Sequence, residues 1–436
     1  MNVKQSNNAT SATASSARLS ALSALVFTLD KEKPLDSAWG QDRYFQSLSP
    51  SDRAFAQLLA KTVLRRLGQI DALLATFVER MPSARIQHTL RLGAAQLLFL
   101  NTPPHAAVHS AVEMAKQIKM EKFSGLVNAV LKKVAQQGKP IIESQDAAAL
   151  NTPSWLWKSW EHTYGKETTR AIAEMHMQEP PLDITVKNNP EQWAQTLGGA
   201  LLPTGSVRLK EARNLTQLPG FAEGQWWVQD TAAAIPALLL GDVKDQRVID
   251  VCAAPGGKTA QLAAAGAKVS AVDKSKERIA MLKTNVHRLK LQADYVATDA
   301  SKWLPSFAPD AILLDAPCSA TGTLRRHPDV AWHRTPDDIK RLTKTQAELL
   351  HHALDMLKPG GKLVYSVCSL QPEEGEAQIT RILKTRKDIR LAPVEVSKIG
   401  NLAQCITQRG EIRTLPCHLA ELGGMDGFFA AALVKS

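Results

Sequence analysis

Cysteine is scarce in this chain, five residues in 436, and no two of them form a C-x-x-C pair. An odd set at positions 252, 318, 368, 405 and 417 argues against a disulfide framework and against a zinc site, so a reducing compartment and no metal are expected. Long apolar runs are missing too. Nothing approaches the ~20 consecutive apolar residues of a membrane span, so a cytoplasmic protein with no membrane partner is expected. The first 16 residues are rich in Ser, Ala, Asn and Thr, with one Lys and no Arg, and read as a disordered tail, not a signal peptide. Both common phosphate cradles are absent as well. There is no G-x-G-x-x-G, and the P-loop pattern fails because Cys252 stands where its first glycine is needed, although Gly257-Lys258-Thr259 would close it properly.

What is present centres on Val248 to Thr259, VIDVCAAPGGKT. An apolar, β-branched run ends at small residues, passes Pro255-Gly256-Gly257 and enters an alanine-rich segment near Lys258, which predicts a strand, a tight turn and a helix start. The glycines let backbone approach a ligand, and the helix start offers unpaired N–H groups and the positive dipole end. A small anionic or strongly polar ligand is expected there. Ala267 to Val272 is a second buried-strand pattern, ending at Asp273, roughly 20 residues past the turn, where Rossmann-type sites carry a ribose-binding carboxylate. A nucleoside without a phosphate chain fits both features. From Arg247 onward strands and helices alternate as in a doubly wound parallel sheet, with apolar runs ending at Asp299, Asp315 and Cys368. Ligands of such sheets bind beyond the carboxyl ends of the strands.

Residues 18 to 139 follow a helical pattern, with apolar residues three and four apart in Phe55 to Met81, Leu90 to Leu100 and Val108 to Ile118. This third carries 17 Lys/Arg against 9 Asp/Glu, so +8 of the chain's +11 lies in it, which favours a polyanionic partner. Arg65, Arg66, Lys132 and Lys133 are candidates for that contact, or only solvated helix faces. A Pro- and acid-flecked linker, about Pro140 to Pro153, leads to a helix holding Trp155, Trp157 and Trp160, whose rings either stack bases or pack into neighbouring structure. Short strand and helix patterns over residues 182 to 240 complete a small α/β module.

The motifs Asp250-Val-Cys-Ala-Ala-Pro-Gly-Gly-Lys258, Asp315-Ala-Pro-Cys-Ser319 and Tyr365-Ser-Val-Cys-Ser369 closely resemble those of the RNA cytosine-C5 methyltransferase family (Nol/Nop/Sun type), which uses S-adenosylmethionine. The N-terminal third, through Asp52-Arg53-Ala54 and Asn101-Thr-Pro-Pro-His-Ala106, resembles the RNA-binding domain of the antitermination factor NusB. The resemblance implies an α/β, doubly wound class I methyltransferase (Rossmann-like) sheet preceded by an all-α NusB-like domain and a small α/β module. The expected division is a tail at 1–16, the all-α domain at 17–140, linker and α/β module at 141–240, and the methyltransferase domain at 241–436.

C5 of cytosine is a poor nucleophile, and adding a thiolate at C6 turns it into an enamine carbon able to accept a methyl group. The resemblance assigns that attack to Cys368 and product release to Cys318, and sets Asp315 against the base edge, where it offsets charge on N3 and O2. It also implies that Cys252, Ala253, Ala254, Pro255, Gly256, Gly257 and Lys258 line the amino-acid end of the donor, with Asp273 on its ribose, Asp299 near its adenine amine and Asp315 bordering the same pocket. Val367 stands where the family commonly has threonine. Cys405 and Cys417, outside any motif, read as apolar filler. Arg325-Arg326-His327-Pro328 is expected at the mouth of the site, gripping phosphates. The implied partner is 16S ribosomal RNA, naked or early in assembly, with no obligate protein partner. Two rivals stay open: the same chemistry on tRNA or another RNA, and an inactive RNA-binding assembly factor. An exocyclic-amine methyltransferase fits less well, since Cys318 stands where its motif requires an aromatic residue.

Overall fold

A computed structural model describes residues 16–210 and 214–436, so the tail expected at 1–16 lies outside the described residues except for residue 16, which begins a helix. The chain divides into two compact units, one running to Gln178 and including Leu324–Arg334, the other formed by Glu179–Thr323 and Thr335–Ser436.

The first unit is helical: α1 (16–25), α2 (Leu35–Gln41), α3 (Arg43–Ser47), α4 (Pro50–Arg65), α5 (Leu67–Ala75), α6 (Ala84–Leu98), α7 (Pro104–Gln117), α8 (Ser124–Ser144), α9 (Ala147–Leu150), α10 (Ser154–Tyr164) and α11 (Lys166–His176). Starts are set by short polar residues. Ser49 Oγ accepts from the Asp52 N–H ahead of Pro50, and Ser83 Oγ from the Ile86 N–H. The predicted periodicity is the buried face: Ala56, Leu59, Ala60, Val63 and Leu64 of α4 pack with Ile86 and Leu90 of α6 and Val127, Val130, Leu131 and Val134 of α8. Helix α8 continues through Pro140, so the stretch expected to open a linker is ordered helix to Ser144. Pro140 removes one ladder hydrogen bond, but Ile141 and Ile142 still pack on the core and hold the last turn in place. Trp160 is fully buried, its ring 5.4 Å from that of His176, which makes it a packing residue and not a base-stacking one.

The second unit holds β1 (Leu182–Val186), α12 (Pro190–Thr196), β2 (Ala200–Leu201), β3 (Val207–Leu209), β4 (Trp226–Val228), α13 (Thr231–Leu238), β5 (Arg247–Val251), α14 (Gly257–Ala264), β6 (Lys268–Asp273), α15 (Lys276–Arg288), β7 (Asp294–Ala297) and β8 (Ala311–Asp315). After α16 (Val330–His333), which lies on the segment belonging to the helical unit, come α17 (Pro336–Met356), β9 (Lys362–Val367), α18 (Glu376–Thr385), β10 (Ile389–Leu391), β11 (Ile412–Thr414) and β12 (Phe428–Lys435). Strands β1 to β4 form an antiparallel sheet in the order β2-β3-β1-β4. Its Asp183 and Arg208 are paired through both guanidinium–carboxylate contacts, 2.7 and 2.8 Å, with almost no exposure.

The larger sheet runs β10-β12-β9-β8-β5-β6-β7, with β11 paired to β12. Strands β9, β8, β5, β6 and β7 are parallel, β12 runs antiparallel to β9, and β10 pairs antiparallel with β12 and so runs in the direction of the parallel strands. Alternate residues feed opposite layers. Val248, Val269, Leu313 and Val364 pack with Ile235 and Leu262, while Ile249, Val272, Ile312, Leu314, Leu363 and Tyr365 pack with Leu349, Leu350, Ala353, Ile379 and Ile382. A sheet covered on both faces explains why these strands read as continuous apolar runs. The chain order reverses between β5 and β8, which opens a crevice at their carboxyl ends.

Candidate active site

β5 ends at Val251, and the chain turns at once: Cys252 adopts φ +61° and Gly256 φ +104° before α14 begins. Gly256 has two reasons to lack a side chain, its left-handed backbone and a Cβ position 2.8 Å from Leu282 Cγ. No side chain caps α14, so its first N–H groups face the crevice. Asp250 is fully buried on β5. Its Oδ2 accepts from Thr259 Oγ1 at 2.6 Å, and Oδ1 has no hydrogen-bond partner among the described residues. Burial pushes this carboxyl up to about 7 against the Thr259 hydrogen bond. The Cys252 thiol is pushed up to about 12, by burial first and then by the charges of Asp273, Asp315 and Asp250.

Lys258, in the first turn of α14, reaches across to β8. Its ammonium lies 2.8 Å from Asp315 Oδ2 and 5.2 Å from the centre of the Phe428 ring. Burial would lower this ammonium, but the charge and hydrogen bond of Asp315 outweigh it and leave it raised. Asp315 Oδ1 accepts from Ser366 Oγ of β9 at 2.8 Å. One carboxylate thus joins α14, β8 and β9.

The two motif cysteines lie just past the ends of β8 and β9, with Cys318 Sγ and Cys368 Sγ 3.4 Å apart. The Cys318 thiol is held well above its usual range by the hydrogen bond with Cys368, then by burial and by the charges of Cys368 and Glu374. The loop after β8 is fitted closely to its surroundings. Gly322 N–H donates to the Cys368 carbonyl at 3.0 Å, and a Cβ on Gly322 would lie 1.9 Å from the Gly427 oxygen.

Farther along the crevice, Asp273 Oδ1 accepts from the Ser275 N–H at 3.1 Å and Oδ2 from the Ala254 N–H at 3.3 Å, with Arg278 also 3.3 Å away. In this arrangement Asp273 braces the turn through Ala253, Ala254 and Pro255. Asp299 Oδ1 accepts from the backbone and hydroxyl of Ser301, and these hydrogen bonds hold its carboxyl below the usual range. Gln229 lies against Gly257 and hydrogen-bonds Gln261 at 2.7 Å, while Asp230 caps α13. The uncapped helix start, the orphaned Asp250 oxygen and the acids after β6 and β7 are a donor set suited to an aminoacyl nucleoside. Among the described residues no group of three or more His, Cys, Asp or Glu could hold a metal ion, and no helix is long and apolar enough to cross a membrane.

At Arg325 the structure overturns a further expectation, and it supplies an element that sequence reading missed. Leu324–Arg334 belongs to the helical unit, where Arg325 is fully buried and its carbonyl accepts from Arg65 at 2.8 Å. Trp332 Nε1 donates to the Leu64 carbonyl and Asp329 Oδ2 accepts from the Leu35 N–H. Arg325 therefore cannot grip a phosphate at a surface, whereas Arg326 and His327 are half-buried; Leu324 and Ala331 are buried and Trp332 packs on the helical core. The element missed is Glu374, which is fully buried behind the cysteines. Nothing in Gln371-Pro-Glu-Glu-Gly375 distinguishes it from exposed Glu373.

Residues 237–434 match the family described as 16S rRNA methyltransferase RsmB/F, and residues 15–136 match the NusB family. A curated relative from Cronobacter sakazakii, ribosomal RNA small subunit methyltransferase B, is 36% identical over 409 residues, covering 89% of this chain and 92% of its own. Among solved structures, that of PH0851 superposes with a TM-score of 0.77 at 24% identity, covering 97% of this chain and 99% of that one. A methyltransferase homolog from Pyrococcus horikoshii gives 0.53 at 28% identity over 64% of this chain and 94% of its own.

Proposed function

The chain belongs to the RsmB/F family of 16S rRNA methyltransferases, and from that premise we propose that it moves the methyl group of S-adenosylmethionine to C5 of a cytosine in 16S rRNA through a covalent Cys368–C6 adduct. The observation that carries the reading is the pair of thiols 3.4 Å apart beside the Asp315–Lys258 pair, all at the carboxyl end of the sheet.

Cys368 Sγ bonds to C6, and the electron pair of the 5,6 double bond shifts toward C5 and the N3–O2 edge. Asp315 is assigned to the base edge, accepting from the exocyclic amine, and the Lys258 ammonium to offsetting the charge gathering on the ring. The donor supplies an electrophilic methyl group to C5. Its amino-acid end is assigned to the Cys252–Lys258 turn, its ribose to Asp273 and its adenine amine to Asp299. Cys318 then takes the C5 proton, the double bond re-forms and Cys368 leaves. A looped or single-stranded cytosine suits this site, since a paired base would first have to be extruded.

The mechanism is tested by trapping. With the donor present, Cys318→Ala should accumulate a protein–RNA complex that survives denaturation, and Cys368→Ala should form none. A stable complex with Cys368→Ala, or none with Cys318→Ala, would contradict the assignment.

A further inference from the structure

Cys318 and Cys368 lie beyond the last paired residues of β8 and β9, Asp315 and Ser366, so strand pairing does not hold the thiols together. Something else must set their 3.4 Å separation. The residue directly after each thiol, Ser319 and Ser369, is hydrogen-bonded to one and the same carboxylate. Glu374 Oε2 accepts from Ser319 Oγ at 2.5 Å and from Ser369 Oγ, and Oε1 accepts from the Ser319 N–H and from Gln346 Nε2, both at 2.9 Å. The clamp is itself held. Tyr365 OH donates to the Glu374 carbonyl at 2.6 Å, and Gln346 also donates to the Pro317 carbonyl at 2.9 Å. Thr321 Oγ1 accepts from the Leu370 N–H at 3.0 Å, which ties the two loops further, beside the Gly322–Cys368 backbone hydrogen bond. A carboxylate taken out of water is retained only where hydrogen bonds replace its hydration, and those replacing it here come from both thiol-bearing loops.

We infer that Glu374 is a positioning residue: by gripping Ser319 and Ser369 it fixes Cys318 against Cys368 for the step that needs both. That step, on the mechanism proposed above, is release. Once Cys368 is bonded to C6, the thiol hydrogen bond that chiefly keeps Cys318 protonated is gone. Cys318, having then passed its own proton to water, takes the proton from C5; the C–H electron pair rebuilds the 5,6 double bond; and the C6–S electron pair returns to Cys368. Attack on C6 needs Cys368 alone. Glu374, fully buried, therefore acts through the two loops, on release more than on attack.

The test compares Glu374→Gln with Ser319→Ala, a milder change that removes one hydroxyl from the clamp. On an RNA substrate with the donor, each variant should accumulate denaturation-resistant complex and turn over more slowly by at least about tenfold, the scale of a lost buried hydrogen bond to a charge. Donor affinity should remain unchanged. A second readout needs no RNA: diamide, which accepts two electrons and the two thiol protons, should form the Cys318–Cys368 disulfide at least about tenfold more slowly in Glu374→Gln than in the unsubstituted chain. Turnover without accumulated complex and an unchanged disulfide rate would overturn the inference. So would loss of donor binding in both variants, which would make Glu374 a general structural support. If the unsubstituted chain transfers no methyl group and Cys318→Ala traps no RNA, the mechanism proposed above falls and takes the inference with it.

Discussion

Of the five cysteines, Cys252 and Cys405 have thiols that burial pushes up to about 12. At pH 8 a thiol of that pKa is ionised only about one part in 10⁴, and the thiolate is the reactive form. Brief iodoacetamide treatment of the folded protein at pH 8 should therefore leave both unmodified, as peptide mass spectrometry would read directly. Cys405 has a further restraint, its Sγ lying 3.3 Å from His418 Nδ1. Histidines give the second prediction at this scale. Burial lowers His176 to about 3, and neither ring nitrogen has a hydrogen-bond partner among the described residues. The folded chain keeps the ring neutral, whereas the unfolded chain protonates it near pH 6.5, so its contribution is present above that pH and lost as the pH falls from about 6.5 toward 3. His418, lowered to about 4 by burial, acts in the same sense. The thermal midpoint should drop between pH 7 and pH 5, and drop less in His176→Phe. At this scale the sequence was readable wherever a residue sits in a motif: Cys318, Cys368 and Asp315 stand at the strand ends where they were expected. Glu374 was not readable, because its importance comes from Ser319 and Ser369 reaching it from loops 55 and 5 residues away.

The parallel strands of the larger sheet were legible because both of its faces are covered, which forces continuous apolar runs with an acid or thiol at their ends; the short β10 and β11 at its antiparallel side were not. The helices of the first unit were legible from periodicity. The helical course through Pro140 was not, since proline is a local signal and the packing of Ile141 and Ile142 that overrides it is tertiary. The antiparallel sheet shows the same limit: β1, β3 and β4 were readable, but the two-residue β2 and the pairing of Asp183 on β1 with Arg208 on β3 were not. That pair supports a prediction about the element. Asp183 also accepts from the Thr231 N–H at 3.2 Å, linking the sheet to α13. Arg208→Ala would leave Asp183 buried without its guanidinium and should cost about 3–5 kcal/mol. Urea unfolding of the two proteins checks this. A loss under about 1 kcal/mol, the scale of an exposed ion pair, would mean that water replaces the guanidinium.

For the molecule as a whole, composition and charge pointed to two kinds of structure, a basic helical part and an α/β part, and both are present. What they did not reveal is the return of Leu324–Arg334 to the helical unit, because a segment beginning Arg325-Arg326-His327 reads as surface and is placed by the apolar residues behind it. Arg325→Ala should therefore act on stability, costing about 2–5 kcal/mol, the scale of truncating a large, fully buried side chain and leaving a cavity. RNA affinity, measured where both proteins are folded, should stay within about twofold, a few tenths of a kcal/mol. The claim on which the rest depends is cysteine-dependent methylation of small-subunit rRNA, and bisulfite sequencing tests it most directly. Unmodified 16S rRNA, incubated with the protein and S-adenosylmethionine, should show a single protected cytosine, and Cys368→Ala should leave that cytosine converted. Protection that persists with Cys368→Ala, or no protected cytosine with the unsubstituted protein, would contradict the account.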